Sequence, residues 1–264
     1  MPKPRFSLVT PAIYTDCDFF NRLARAGKLL SHAIKCASQA VGVGVRPIEL
    51  AEIVERELTA FGAVPILKGF KSLGTKPFPA AAAVSVNTIA VNGVPSDEPL
   101  EIGDVLTIDS ACELDGAVCD AAVSAVVCGG PDPLIDAARK VLDAACEVIV
   151  PGRSLNEIAE AARQSAIEQG CELLNEVIAH GTGLALHQPP VVFRDGARPN
   201  LLEIQPGMVL AIEPVVVEPG AGAPRTLADG WSRAASGRSA YEERTVLVVE
   251  NGWIDLTPLA FGGR

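Results

Sequence analysis

Apolar residues recur at helical spacing over 19–41, with Phe20, Leu23, Leu30 and Ile34 on one face. A second helix is expected over 47–61, since Pro47 suits a first helical position and Gly62 an end. Pro77 and Pro79 then break any helix, and one short strand is expected near 84–91. Period two takes over at 105–113 and 118–127, on either side of an Asp115-Gly116 hairpin signal. Asp132-Pro133 opens a third helix to about residue 148. Ser154 and Glu157 form a capping box for a fourth, which ends at Gly170. Strand-like runs return at 209–217 and 245–249, and 218–238 reads as a long loop.

The pattern repeats itself. Leu50-Ala51-Glu52 leads into a helix ending at Gly62, as Ile158-Ala159-Glu160 leads into one ending at Gly170. Residues 103–109 and 207–213 each start on glycine, run through an apolar strand and end on a carboxylate, Asp109 or Glu213. Asp120 and Glu243 stand at matching offsets before Val123 and Val246. Two α+β units with common turns could look alike by chance. The other reading is two similar halves facing each other across a pseudo-two-fold axis, each giving two carboxylates to one centre.

The hairpin fixes geometry. A two-residue turn at Asp115-Gly116 sets Leu114 opposite Ala117, Cys112 opposite Cys119 and Asp109 opposite Ala122. Asp120 then lies diagonal to Asp109 on the same face, within reach of one cation. Cys112 and Cys119 share the other face, where a cross-strand disulfide could join them, but they read as two buried thiols. An aspartate alone could cap a turn or face solvent. Two in strands of Val, Leu, Ile and Ala call for a pairing partner or a metal. Glu213 sits inside the apolar Ala-Ile-Glu-Pro stretch, and Glu243 opens another strand, with Glu242 expected on its solvent side. His180 stands among glycines, which allow close approach of backbone and ligand. His187 follows it closely, and His32 reads as surface or core.

Composition narrows the classes. The net charge is −10, from 22 basic and 32 acidic residues, with no basic run, so a nucleic-acid partner is not expected. No apolar stretch reaches the ~18–20 residues needed to span a bilayer, and 1–18 has no apolar signal-peptide core. The 7 cysteines form no Cys-x-x-Cys pair, which excludes a zinc ribbon; their odd, scattered set points to reduced thiols and a cytoplasmic protein.

Taken together, Asn92-Gly-Val-Pro95, Ile108-Asp109, Asp120, His180-Gly-Thr-Gly183, the 207–214 stretch and Ser239 through Thr245 resemble the methionine aminopeptidase family, in its short bacterial form, within the wider pita-bread metallohydrolases. The resemblance runs from about Phe19 to Thr257. The spacings agree, with 11 residues from Asp109 to Asp120 and 33 from His180 to Glu213, which leaves no room for the insertion of the longer type 2 enzymes. It implies an α+β pita-bread fold of two similar halves, with antiparallel sheet and outer helices. One catalytic domain would fill 1–264, with a short N-terminal extension at 1–17. It implies a metal-dependent aminopeptidase that removes N-terminal methionine, acting as a monomer or weak oligomer. Asp109 would chelate one metal ion, Asp120 and Glu243 would bridge two, and His180 and Glu213 would complete the coordination of the other ion. The ions would be Mn, Fe, Co or Zn. Glu213 is also the candidate general base, His187 the residue that hydrogen-bonds the substrate, and Phe78, Leu186 and Trp231 the pocket.

One position departs from the family. Asn92 stands where the resemblance calls for a histidine that contacts the scissile peptide. Asparagine hydrogen-bonds but carries no proton near neutral pH. Leu186, in place of an aromatic wall, and the run Ala80 to Ala83 depart in the same direction. Three readings follow: a working methionine aminopeptidase in which Asn92 is tolerated, a metalloenzyme with another substrate or reaction acting on a small amine, and a scaffold with a fossil site. The complete ligand set speaks against the third.

Overall fold

The computed structural model describes residues 11–72, 75–174, 177–194 and 201–258. The helices are α1 (Cys17–Gln39), α2 (Pro47–Ala60), α3 (Pro133–Glu147) and α4 (Asn156–Glu168). The strands are β1 (Val64–Pro65), β2 (Ala83–Val86), β3 (Ile89–Val91), β4 (Val105–Leu114), β5 (Ala117–Val126), β6 (Glu172–Leu173), β7 (Val177–Gly181), β8 (Gln188–Phe193), β9 (Val209–Ile212), β10 (Val216–Val217), β11 (Arg225–Thr226), β12 (Arg233–Ala234), β13 (Ser239–Ala240), β14 (Arg244–Val249) and β15 (Gly252–Asp255).

Helix boundaries follow local chemistry. Asp16 and Asp132 accept backbone N–H groups at the starts of α1 and α3. Around the start of α4, Ser154 N–H donates to Glu157 Oε1 at 3.0 Å, and Ser154 Oγ accepts from Asn156 N–H at 3.3 Å. The apolar stripes of α1 and α2 meet the sheet of β1, β2, β4 and β5 around Leu23, Leu30, Ile34, Leu50, Leu58, Leu106 and Ile108. Those of α3 and α4 meet the sheet of β15, β14, β9, β7 and β8 around Leu142, Ile158, Ile178, Leu210 and Val246. Each fully buried Leu or Ile contributes about 1.5–3 kcal/mol. Two helix-on-sheet units result, matching the two halves read in the repeat.

The β4–β5 register is the one derived from the turn: Asp109 faces Ala122, and Cys112 faces Cys119 as a pair of buried free thiols. Three expectations change. The 209–217 run is two strands, interrupted at Glu213-Pro214, because proline has no N–H for a ladder. The 84–91 strand is split into β2 and β3, which belong to different sheets. The 218–238 loop contains β11 and β12, and β12 pairs with β3. Residues 11–16 of the N-terminal extension are docked: Tyr14 N–H donates to the Gly207 carbonyl at 2.9 Å, and its hydroxyl to Gln188 Oε1 at 3.0 Å.

The halves are joined where β5 meets residues 241–245. Glu243 N–H donates to the Ala122 carbonyl at 3.1 Å. On either side a buried hydroxyl replaces the next ladder step. Thr245 Oγ1 accepts from Asp120 N–H at 2.9 Å and donates to the Asp120 carbonyl at 2.7 Å. Ser124 Oγ accepts from Tyr241 N–H at 3.1 Å and donates to the Tyr241 carbonyl at 2.7 Å. Thr245→Val keeps the shape but leaves both Asp120 backbone groups buried and unpaired, at about 1–3 kcal/mol each. Urea unfolding of the variant is therefore expected to show a loss of about 2–5 kcal/mol; a loss below about 0.5 kcal/mol would mean that the join carries no such weight.

Candidate metal centre

Strands β4, β5 and β7, with the positions just after β9 and just before β14, deliver the side chains. Asp109 and Asp120 share a face of the β4–β5 hairpin. The join to β5 brings Glu243 beside Asp120. His180 lies on β7, between β8 and β9. Glu213 directly follows β9, and its N–H donates to the Ile178 carbonyl at 2.8 Å. Ligand atoms of Asp120, His180 and Glu243 all lie within 4.8 Å of one another. His180 Nε2 is 3.9 Å from Asp120 Oδ2 and 3.5 Å from Glu213 Oε1. Asp120, His180 and Glu243 are buried, whereas Asp109 and Glu213 are partly open to solvent.

The electrostatics are those of a site short of positive charge. Among the described residues, no Lys or Arg pairs with Asp109, Asp120 or Glu243. Burial raises Asp109 to about 6, against the donated hydrogen bond of Tyr241. Burial, with Asp109 nearby, raises Glu213 to about 8. Asp120 and Glu243 are held well above the carboxylate range by burial first and by their acidic neighbours second. Burial takes His180 down to about 3, so its imidazole is neutral. Its Nδ1 donates to the Gly181 carbonyl at 3.0 Å, which turns the Nε2 lone pair toward Asp120 and Glu213. Glu243 Oε1 is buried without a hydrogen-bond partner. An orphaned carboxylate oxygen, a lone pair aimed at other acids, and one nitrogen among four carboxylates fit divalent cations of the Mn, Fe, Co and Zn type.

Near the acids, the sequence reading missed Tyr241 and misplaced Glu242. Tyr241, fully buried, donates its hydroxyl to Asp109 Oδ2 at 2.6 Å. Period two would have found it, since Tyr241, Glu243 and Thr245 alternate along one face. Glu242, expected on the solvent side, is instead buried and accepts from Arg139 Nε of α3 at 2.8 Å. Burial raises it to about 7 against that guanidinium, because α3 covers the face that alternation left for water.

The other candidates collect at one side of the centre. The His187 ring lies 4.7 Å from His180 and 5.6 Å from Phe70. Phe70 and Phe78 both meet Trp231, at 6.2 and 5.4 Å. Trp231 is anchored by Nε1–H donating to the Lys76 carbonyl at 2.8 Å. Phe70 was not a sequence candidate; nothing but proximity marks it. Leu186 is buried in the turn before His187. Asn92 follows β3 in the left-handed region, φ 55°, which asparagine tolerates better than most residues. The Val94 N–H donates to Ser232 Oγ at 3.0 Å, which ties this turn to the Trp231 loop.

Two outcomes are expected. Asp109 and Glu213 hold protons in the metal-free fold up to about 6 and about 8, while in the unfolded chain they ionise near 3.8 and 4.5. Between these limits the folded state binds more protons than the unfolded one, so stability falls as pH rises. The melting temperature of metal-free protein is expected to drop from pH 5 to pH 8, and metal to abolish the drop; a flat metal-free profile would contradict the buried-acid account. Tyr241→Phe removes the donor to Asp109, and isothermal titration is expected to show metal affinity changed by about 5-fold or more, as for the loss of a hydrogen bond to a charged group; unchanged affinity would leave Tyr241 as packing.

The sequence pattern of metallopeptidase family M24 matches residues 21–250. The methionine aminopeptidase of Clostridium perfringens is 32% identical over 242 residues, covering 87% of this chain and 92% of that protein. Methionine aminopeptidase 1 of Bacillus subtilis is 29% identical over 240 residues, covering 89% and 94%. The crystal structure of methionine aminopeptidase from Rickettsia prowazekii superposes with a TM-score of 0.87 at 26% identity, covering 94% of this chain and all of that one. Prolidase from Pyrococcus furiosus, at 22% identity and a TM-score of 0.74, shares the fold alone. The two helix-on-sheet units are thus the halves of a pita-bread fold, and the acids at their junction lie in a chain that belongs to metallopeptidase family M24.

Proposed function

We propose that the chain is a dinuclear-metal aminopeptidase that removes N-terminal methionine from peptides, working in the cytoplasm. The observation that carries this is the buried acidic cluster, with its orphaned Glu243 Oε1 and neutral His180, opening beside the Phe70–Phe78–Trp231 aromatics. Asp109, Asp120, His180, Glu213 and Glu243 would hold the ions, Asp120 and Glu243 being shared between them. The ions supply two things when bound: they acidify a water and polarise the scissile carbonyl. Glu213, 24% exposed at the edge of the cluster, would take the proton from a water at the site. His187, between the aromatics and His180, hydrogen-bonds the substrate. Phe78, Leu186 and Trp231, with Phe70, surround an unbranched apolar side chain.

Asn92 supports a second reading. It occupies a turn tied to the pocket loop yet cannot carry a proton, which suits a divergent metalloenzyme acting on a small amine, with weak or no methionine release. The test is release of methionine from Met-Ala-Ser by protein loaded in turn with Mn, Fe, Co and Zn, together with Glu213→Gln and Asn92→His. Metal-dependent release, cut at least ~10²-fold by Glu213→Gln, is expected, with Asn92→His faster by up to ~10²–10⁴-fold where proton transfer limits the rate. No release with metal confirmed bound, and no gain from histidine, would overturn the first reading in favour of the second.

A further inference from the structure

A second group of metal-binding side chains lies outside this centre, on the outer surface of the first helix pair. His32 and Cys36 are one turn apart on α1, so both project from one face. Glu57 reaches them from α2. His32 Nε2 lies 3.4 Å from Glu57 Oε2 and 3.7 Å from Cys36 Sγ. Ligand atoms of all three fall within 4.8 Å of one another.

These separations are those of a tetrahedral ion's edges. Zinc bonds of ~2.0 Å to nitrogen and oxygen and ~2.3 Å to sulfur, at tetrahedral angles, set nitrogen about 3.3 Å from oxygen and about 3.5 Å from sulfur. As a hydrogen bond, the 3.4 Å His32–Glu57 contact is long. The side chains are held by groups that do not ligate. Arg56 takes Glu57 Oε1 at 2.9 Å, leaving Oε2 toward His32. The His32 ring stands edge-on to Phe61, with centroids 6.2 Å apart. His32 is half exposed and Glu57 is 20% exposed, so an ion can enter and a water can fill the fourth position.

We propose that His32, Cys36 and Glu57 form a surface site for one zinc-class divalent cation, clamping α1 to α2. Nitrogen, sulfur and oxygen donors favour zinc or cobalt and disfavour magnesium and calcium. The site is independent of the peptidase reading, because none of its ligands belongs to the buried acidic centre.

The acidic centre contains no sulfur ligand, so a thiolate-to-cobalt band in the near ultraviolet reports this site alone. Cobalt titrated into the full chain is expected to produce that band. Cys36→Ser should abolish it, His32→Ala should weaken cobalt binding about 10-fold or more, and Asp109→Ala should leave it intact. In the unmodified protein, zinc but not magnesium should slow alkylation of Cys36, mapped by mass spectrometry, while the exposed Cys17 and Cys128 serve as internal references. Absence of the band, its persistence in Cys36→Ser, or zinc-insensitive alkylation of Cys36 would each overturn the proposal, whatever the outcome for methionine release.

Discussion

Clustered carboxylates repel one another, and a fold that gathers them must hold the strands that carry them together. Here two hydroxyls hold the strand of Asp120 to the segment of Glu243. Thr245 Oγ1 is inserted between the N–H and carbonyl of Asp120, and Ser124 Oγ between those of Tyr241. The single backbone step between them, Glu243 to Ala122, sets Glu243 next to Asp120. A hydroxyl that both accepts and donates widens the ladder at its ends without leaving a buried polar group unpaired. The two helix-on-sheet units are thereby locked at the point where their acids meet.

The cores resist the same repulsion from outside. α1 lies against the back of the β4–β5 hairpin, where the Cys119 and Cys112 thiols reach the Leu23 and Ala26 carbonyls at 3.5 Å each. On the other half, α3 contributes Arg139 to Glu242, one residue from Glu243. Both helices pack on the strand faces opposite the acids. Each removes water from the far face of a strand, so that the strand cannot twist its carboxylate outward without exposing apolar surface. Clustered acids in such a frame favour the state in which a cation is present.

Much of this was legible in the chain. The Asp115-Gly116 turn fixed a register by counting, and the register put Asp109 and Asp120 on one face. The repeat of a glycine, an apolar run and a terminal carboxylate pointed to two halves. Other features could not be read. β7 carries His180 but is short, glycine-bounded and followed by prolines, so it has no strand-length alternation. Glu242 alternates correctly with Glu243, yet alternation says only which residues share a face, never whether a helix covers it. Phe70 reaches His187 through a turn with no periodicity at all.

The pocket side follows a different logic from the metal side. The acidic centre is held by strands and buried hydroxyls, whereas the aromatic cluster rests on turns: Trp231 on the Lys76 carbonyl, its N–H on Asp229 at 2.7 Å, and the Asn92 turn on Ser232. Gly93 makes that last turn possible, because a side chain there would meet the Val84 carbonyl oxygen at 2.4 Å. Turns accept substitution more readily than joined strands do. Asn92, Leu186 and Trp231 therefore sit on turns and bends, whereas Asp109, Asp120 and His180 sit on paired strands. That asymmetry is what makes the identity of the substrate a question about the turns, and the binding of metal a question about the strands.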